Sequence, residues 1–138
     1  MKPASAKSLT IFVDGASRGN PGPASIGAVI LDPEGNTLKT LSESIGHATN
    51  NIAEYSALIY ALQEAVAMGA SKVLVKTDSQ LMARQYTGEY AVREPHVKIM
   101  HRIVKRLAGY FEQCTVVHIP REENTEADRL AGRAVEGV

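Results

Sequence analysis

The hydrophobic period of this chain first changes near Thr49, from strand to helix, and that change limits the architectures open to it. Before it, Leu9, Ile11 and Val13 alternate with Thr10 and Phe12, the period of a pleated strand. Ile26 to Leu31 (IGAVIL) is a near-continuous apolar run, which suits a strand covered on both faces. Asp32-Pro33-Glu34-Gly35-Asn36 reads as a turn, because proline presets one dihedral and glycine or asparagine supplies a positive φ. Thr37 to Ser44 then alternates Leu38, Thr40 and Ser42 with Lys39, Leu41 and Glu43 and returns as an antiparallel strand. Three strands on short turns make a meander.

After Thr49-Asn50-Asn51 the spacing becomes helical, with Ile52, Tyr55, Leu58 or Ile59, Leu62 and Val66 on one face and Gly69 as the stop. Lys72 to Thr77 is a short strand ending at Asp78, and Ser79-Gln80-Leu81 opens a helix to about Tyr86. Residues 88 to 95 form a loop, His96 to Phe111 a third helix, and Cys114 to Ile119 a fifth strand. Pro120 to Asn124 is a charged loop, and Thr125 to Val135 a final helix packing through Ala127, Leu130, Ala131 and Ala134. The expected fold is therefore α/β: a mixed five-stranded sheet in the order βββαβααβα, with helices on both faces. At 138 residues one domain is expected, spanning 8–138 behind a loose tail at 1–7.

Composition excludes more than it identifies. Fifteen basic and 15 acidic residues give a formal net charge of +0, so no global field points to nucleic acid or membrane, although a local patch suffices for the former. A single cysteine, Cys114, cannot form an internal disulfide, which favours a reducing compartment, and its strand-edge setting suggests packing rather than reactivity. The N-terminus lacks the apolar core of a signal peptide, and no later run is long enough to span a bilayer. The expectation is a cytoplasmic, monomeric protein with no membrane association and no obligate protein partner.

Chemistry enters with Ile11 to Gly22, IFVDGASRGNPG. A hydrophobic strand gives way at Asp14 to a loop carrying Gly15, Gly19 and Gly22, whose backbone can approach another molecule. A carboxylate there is costly unless something pairs with it or binds it, though an ordinary strand followed by a polar loop has the same pattern. Asp78 ends another strand, while Glu54 and Asp128 are placed in the first turns of helices. Each has a simpler reading: an N-cap for Asp78, and complementarity to the helix dipole for Glu54 and Asp128. Four carboxylates at one sheet edge, however, require cations to be tolerated together. Ligands in open α/β sheets favour the edge where the strand order reverses. Hard oxygen donors without a cysteine or histidine cluster select Mg²⁺ or Mn²⁺ over zinc. Two such ions about 3.5–4 Å apart clamp the attacking and leaving oxygens of a phosphodiester.

Four ordered segments then carry a family resemblance: Asp14 to Pro23 (DGASRGNPGP), Thr49 to Glu54 (TNNIAE), Thr77 to Gln80 (TDSQ) and Asn124 to Ala131 (NTEADRLA). Over roughly residues 8 to 135 the chain resembles the ribonuclease H family, type-one (bacterial HI-like) branch. The resemblance implies an endonuclease cutting the RNA strand of RNA–DNA hybrids with two divalent ions, leaving 5′-phosphate and 3′-hydroxyl ends. It makes Asp14, Glu54, Asp78 and Asp128 the metal ligands, and Gly15, Ser17, Asn20, Asn50, Asn51 and Gln80 contacts to the hybrid. Amide side chains and exposed N–H groups suit sugar hydroxyls and base edges of a shallow minor groove, so little sequence preference is expected. Asn50 and Asn51 also read as capping and turn residues.

His118, ten residues before Asp128, matches a histidine of related enzymes that assists proton transfer or product release; a structural histidine fits equally, with Arg121 and Glu122 as substitutes. His47, His96 and His101 match no motif, and Arg18 and Arg121 are candidate phosphate contacts. The chain departs from some members in lacking a basic, tryptophan-bearing handle helix: only residues 88–95 fill that interval, and Trp is 0. No separate hybrid-binding domain is expected before residue 8. Lys98, Arg102, Lys105 and Arg106 either compensate or form a solvated helix face. A weaker track raises KM more than it slows chemistry. The rival readings are a catalytically silent hybrid- or RNA-binding module and a nuclease that also acts on double-stranded RNA.

Overall fold

The computed structural model describes residues 7–136. Its strands are β1 (Ser8–Ser17), β2 (Gly22–Leu31), β3 (Thr37–Ala48), β4 (Lys72–Thr77) and β5 (Gln113–His118). Its helices are α1 (Asn50–Ala67), α2 (Gln80–Thr87), α3 (Pro95–Ala108) and α4 (Thr125–Glu136), with a short 3₁₀ turn at Arg121–Glu123. One sheet forms in the order β3-β2-β1-β4-β5. β1–β2 and β2–β3 are antiparallel, while β1–β4 and β4–β5 are parallel. The expected meander and crossovers are both present.

Directly opposed residues of an antiparallel pair share a face of the sheet, and neighbours along a strand alternate. Gly15 pairs with Ile26 and faces α1; Gly27 pairs with Asp14 and faces α4. The main core lies on the α1 side, where Ile11, Val13, Ile26 and Ile30 meet Leu58 and Leu62, all fully buried. Burying each such side chain contributes about 1.5–3 kcal/mol. α3 packs outside α1, and α4 covers β1, β2 and β3 on the opposite face. The IGAVIL run of β2 is thus buried from both sides.

Several boundaries move. β1 runs on through Gly15, Ala16 and Ser17, expected as loop, because these residues stay paired with β2 as far as Ser17↔Ala24. β2 begins at Gly22 and β3 continues to Ala48 for the same reason, with Gly22↔Ala48 as their last pair. α3 ends at Ala108, leaving Phe111 outside the helix but buried. On α4 it is Val135, rather than the half-buried Ala134, that completes the packing side. Residues 1–6 of the expected tail lie outside the described residues. Lys7 is no tail residue: its carbonyl accepts from the Ser71 and Lys72 N–H groups at 2.8 and 3.2 Å. Among the described residues, no helix is long and apolar enough to cross a membrane.

Candidate active site

The site forms where β1 and β4 part company. Their parallel pairing ends at Val13↔Thr77, so Asp14 and Asp78 are the next residue on each strand, side by side at the carboxyl edge. Asp78 is free of the capping role open to it in the sequence. Ser79 caps α2 instead, its Oγ accepting from the Met82 N–H at 3.2 Å. Thr77 Oγ1 accepts from the Ser79 N–H at 3.0 Å and fixes the turn that presents Asp78.

Glu54 is the fifth residue of α1, not a first-turn residue as expected, because the helix starts at Asn50 behind a Thr49 cap. The dipole-complement reading weakens accordingly, since that effect fades beyond the first turn. What holds Glu54 is the strand: the Gly15 N–H donates to Glu54 Oε1 at 2.9 Å. A Cβ at Gly15 would lie 2.3 Å from the carbonyl carbon of Ala53, so only glycine lets α1 come this close.

Asp128 stands in the first turn of α4, as expected. Its N–H donates to the Asn124 carbonyl at 3.1 Å, and Asn124 Nδ2 donates to the Val13 carbonyl at 2.8 Å. Asn124 is 1% exposed, so one buried amide ties the strand bearing Asp14 to the helix bearing Asp128. Gly27, directly opposite Asp14, does the same for packing: a Cβ there would lie 2.3 Å from the Ala127 carbonyl oxygen. Sequence reading missed both residues. Asn124 carried a usable signal, a helix-start asparagine four residues before an acid; Gly27 was hidden inside an apolar run.

Carboxylate oxygens of Asp14, Glu54 and Asp78 lie within 4.8 Å of one another. Asp128 lines the same cavity, of about 430 Å³, together with Gly15, Ser17, Asn50 and Arg121. Burial, then the charges of Glu54, Asp78 and Asp128, push the Asp14 carboxyl up to about 9, helped by a hydrogen bond to Asp128. Burial and the Asp78 charge push Glu54 up to about 8 against the opposing Gly15 N–H. Without a counter-charge Asp14 and Glu54 hold their protons more readily than ordinary carboxyls. An all-carboxylate donor set of this kind fits a hard divalent cation.

A family profile described as "Reverse transcriptase-like" matches residues 12–134. "Ribonuclease HI" of Halobacterium salinarum is 39% identical over 125 residues, covering 91% of this chain and 63% of that protein. The chain belongs to the ribonuclease H family. The crystal structure of LC11-RNase H1 in complex with RNA/DNA hybrid is 42% identical, with a TM-score of 0.89, covering 94% of this chain and 97% of that one. The "Bifunctional protein Rv2228c" of Mycobacterium tuberculosis is 41% identical over 131 residues, 94% of this chain but 36% of that protein. This ribonuclease H-family chain thus spans under two thirds of these two curated relatives' length.

The remaining expected contacts of this family member fall in two groups. Gly15, Ser17 and Asn50 line the carboxylate cavity. Asn50 also lines a second cavity, of about 360 Å³, with Asn20, Thr49, Asn51 and Glu94. Asn50 and Asn51 do not cap α1: Thr49 Oγ1 accepts from the Ile52 N–H at 3.2 Å, which leaves both amide side chains exposed. Asn20 Oδ1 accepts from the Asn50 N–H at 3.0 Å and joins the loop to the helix start. The Ser17 hydroxyl lies within hydrogen-bond reach of both the Gly19 and Ala48 carbonyls and can donate to either, so it shapes the loop. Gln80, exposed as the first residue of α2, lines neither cavity. Nor does His118, exposed at the end of β5; the cation facing the acids is Arg121, whose Nη2 lies 3.7 Å from Asp128 Oδ1.

Proposed function

We propose that this chain is an endonuclease that hydrolyses the RNA strand of RNA–DNA hybrids, leaving 5′-phosphate and 3′-hydroxyl ends, with two Mg²⁺ or Mn²⁺ ions held by Asp14, Glu54, Asp78 and Asp128. The observation that carries this is the convergence of three carboxylates within 4.8 Å at the β1/β4 split of a ribonuclease H-family chain. Such ions, when bound, neutralise charge and activate water for attack on a phosphodiester.

The chain's own residues do the rest. Asp14 and Glu54 give up protons as cations bind, since ligands must be deprotonated. The Gly15 N–H holds one oxygen of Glu54 in place, leaving the other for a ligand. Arg121 offers a fixed positive charge beside Asp128 for a substrate phosphate; it stabilises charge rather than carrying protons, because a guanidinium stays protonated. Asn20, Asn50 and Asn51 present amides to the minor groove and its ribose hydroxyls, reading shape and sugar rather than sequence. Ser17 acts by holding the glycine loop, and Gln80 reaches the duplex from outside the cavity. His118 takes no direct part in this reading. The protein works in the reducing cytoplasm, in keeping with its one cysteine, and acts as a monomer.

The test is a substrate panel of labelled RNA–DNA hybrid, duplex RNA and single-stranded RNA with Mg²⁺ or Mn²⁺. Preferential cutting of the hybrid's RNA strand is expected. Binding of hybrid without any cutting would leave a silent module, and equal cutting of duplex RNA would leave a broader nuclease.

A further inference from the structure

Helix α3 turns Val97 and Val104 inward and packs on α1, and its outer face is not the mixture of signs usual for a solvated helix. It carries Lys98, Arg102, Lys105 and Arg106 and no acid. Lys105 is engaged: its Nζ donates to the Tyr86 carbonyl at 3.1 Å and lies 4.1 Å from that ring's centre. Lys98, Arg102 and Arg106 repeat at four-residue steps and so stand in one row. Among the described residues none of the three is in an ion pair. Like charges at that spacing destabilise a helix on its own.

One residue further on, Ile99, Ile103 and Leu107 form a second row beside the first. Ile99 is 60% exposed and Ile103 42%, while Leu107 is half-buried. Tyr110, exposed just past the helix, prolongs this row, because its N–H donates to the Leu107 carbonyl at 3.0 Å. The same tyrosine walls a cavity of about 390 Å³ with Val66, Ala70, Phe111 and Glu112. Glu112 brings no free acid there, since Lys72 Nζ lies 3.7 Å from its carboxylate. The cavity lies where α1 ends and β4 and β5 begin, at the opposite end of the sheet from Asp14 and Asp78.

An exposed aliphatic row beside a row of cations selects its occupant. Contiguous exposed apolar surface marks contacts with protein. Isoleucine offers no ring for a base to stack on, so a nucleic acid would engage the cations and leave the apolar row in water. A second copy would bring the same three cations against these, and residues 1–6 hold no acid. We propose that α3 docks an acidic amphipathic helix of a partner protein, its apolar stripe on Ile99 and Ile103 and one large apolar side chain in the cavity beside Tyr110. Helix-in-groove binding of this kind takes its anchors from the apolar stripe and its register from the charges. The proposal goes beyond the nuclease reading and does not depend on it. Docking at this end leaves the carboxylate cavity open.

The probe is a labelled synthetic helix of roughly 18 residues, with leucine at heptad a and d positions and glutamate on the flanks. Controls are a scrambled peptide and one with lysine in place of glutamate. Fluorescence anisotropy with the full chain should give micromolar binding of the acidic helix and at least about tenfold weaker binding of both controls. I99S/I103S and R102E/R106E should each weaken the acidic helix about tenfold or more. R102E/R106E should in turn prefer the lysine peptide, a reversal that a merely misfolded variant would not show. I99S/I103S should leave cleavage of hybrid within about twofold. An acidic helix that binds no better than its scramble overturns the proposal, as does wild-type binding by both variants. Displacement of the bound peptide by excess RNA–DNA hybrid would give the face to nucleic acid and overturn it too.

Discussion

Asp14 and Glu54 are protonated more readily in the folded chain than in the unfolded one, with carboxyls raised to about 9 and about 8. A raised acid stabilises the fold below its unfolded value, and that stability drains away as pH climbs through the folded value. In chelator, Tm should therefore fall steadily between about pH 5 and pH 9, each group contributing at most about 1.4 kcal/mol per pH unit. Asp14→Asn should flatten the curve. Added Mg²⁺ should raise Tm most at high pH, where protons no longer compete for the ligands. A melting series with and without Mg²⁺ reads all three. At the same scale, Arg121 and His118 divide the role that spacing alone left between them. Because only Arg121 lines the cavity, Arg121→Ala should lower kcat roughly tenfold to a hundredfold, and His118→Ala should stay within about twofold. Steady-state kinetics on hybrid decides between them.

Elements bring the acids together through close approach. Gly15→Ala would drive a methyl into the Ala53 carbonyl carbon and push α1, with Glu54, off β1. Overpacking costs typically about 1–3 kcal/mol, and at a backbone contact of 2.3 Å the upper end or more is expected in urea unfolding, together with loss of cleavage. Asn124→Ala should cost about 1–3 kcal/mol, since it leaves the Val13 carbonyl without its buried donor. It should also weaken divalent-ion binding measured by calorimetry, because Asp14 and Asp128 lose their shared anchor. Element types were legible from apolar patterning: two-residue alternation for β1 and β3, a continuous run for β2, and three- and four-residue steps for α1, while the 3₁₀ turn at Arg121–Glu123 falls in what the sequence reads as a loop. Caps were not. Thr49 and Ser79 took the capping roles open to Asn50, Asn51 and Asp78, because Ser and Thr accept from an N–H as well as Asn or Asp does. That substitution is what leaves the amides and the acid available for other work.

For the whole molecule, the four acids were legible because the apolar pattern breaks at each of them, although β1 runs on past Asp14 and Glu54 is the fifth residue of α1, and parallel pairing of β1 and β4 puts Asp14 and Asp78 side by side. Contacts that bridge distant segments were not: Asn124 reaches back 111 residues to Val13, and Gly27 serves a helix about 100 residues later. Nor was charge placement, since a balanced total conceals basic residues gathered near α3 and acids gathered at the sheet edge. The acids carry the central claim, that the carboxylate cluster works as a metal-dependent centre for cutting hybrid. Cleavage of end-labelled RNA–DNA hybrid by wild type and Asp14→Asn, in Mg²⁺ and in Mn²⁺, tests it most directly. Wild type should cut the RNA strand only with added ions, and cutting should fall roughly a thousandfold or more in the variant. Full cleavage by Asp14→Asn, or cutting by the wild type in excess chelator, would contradict it.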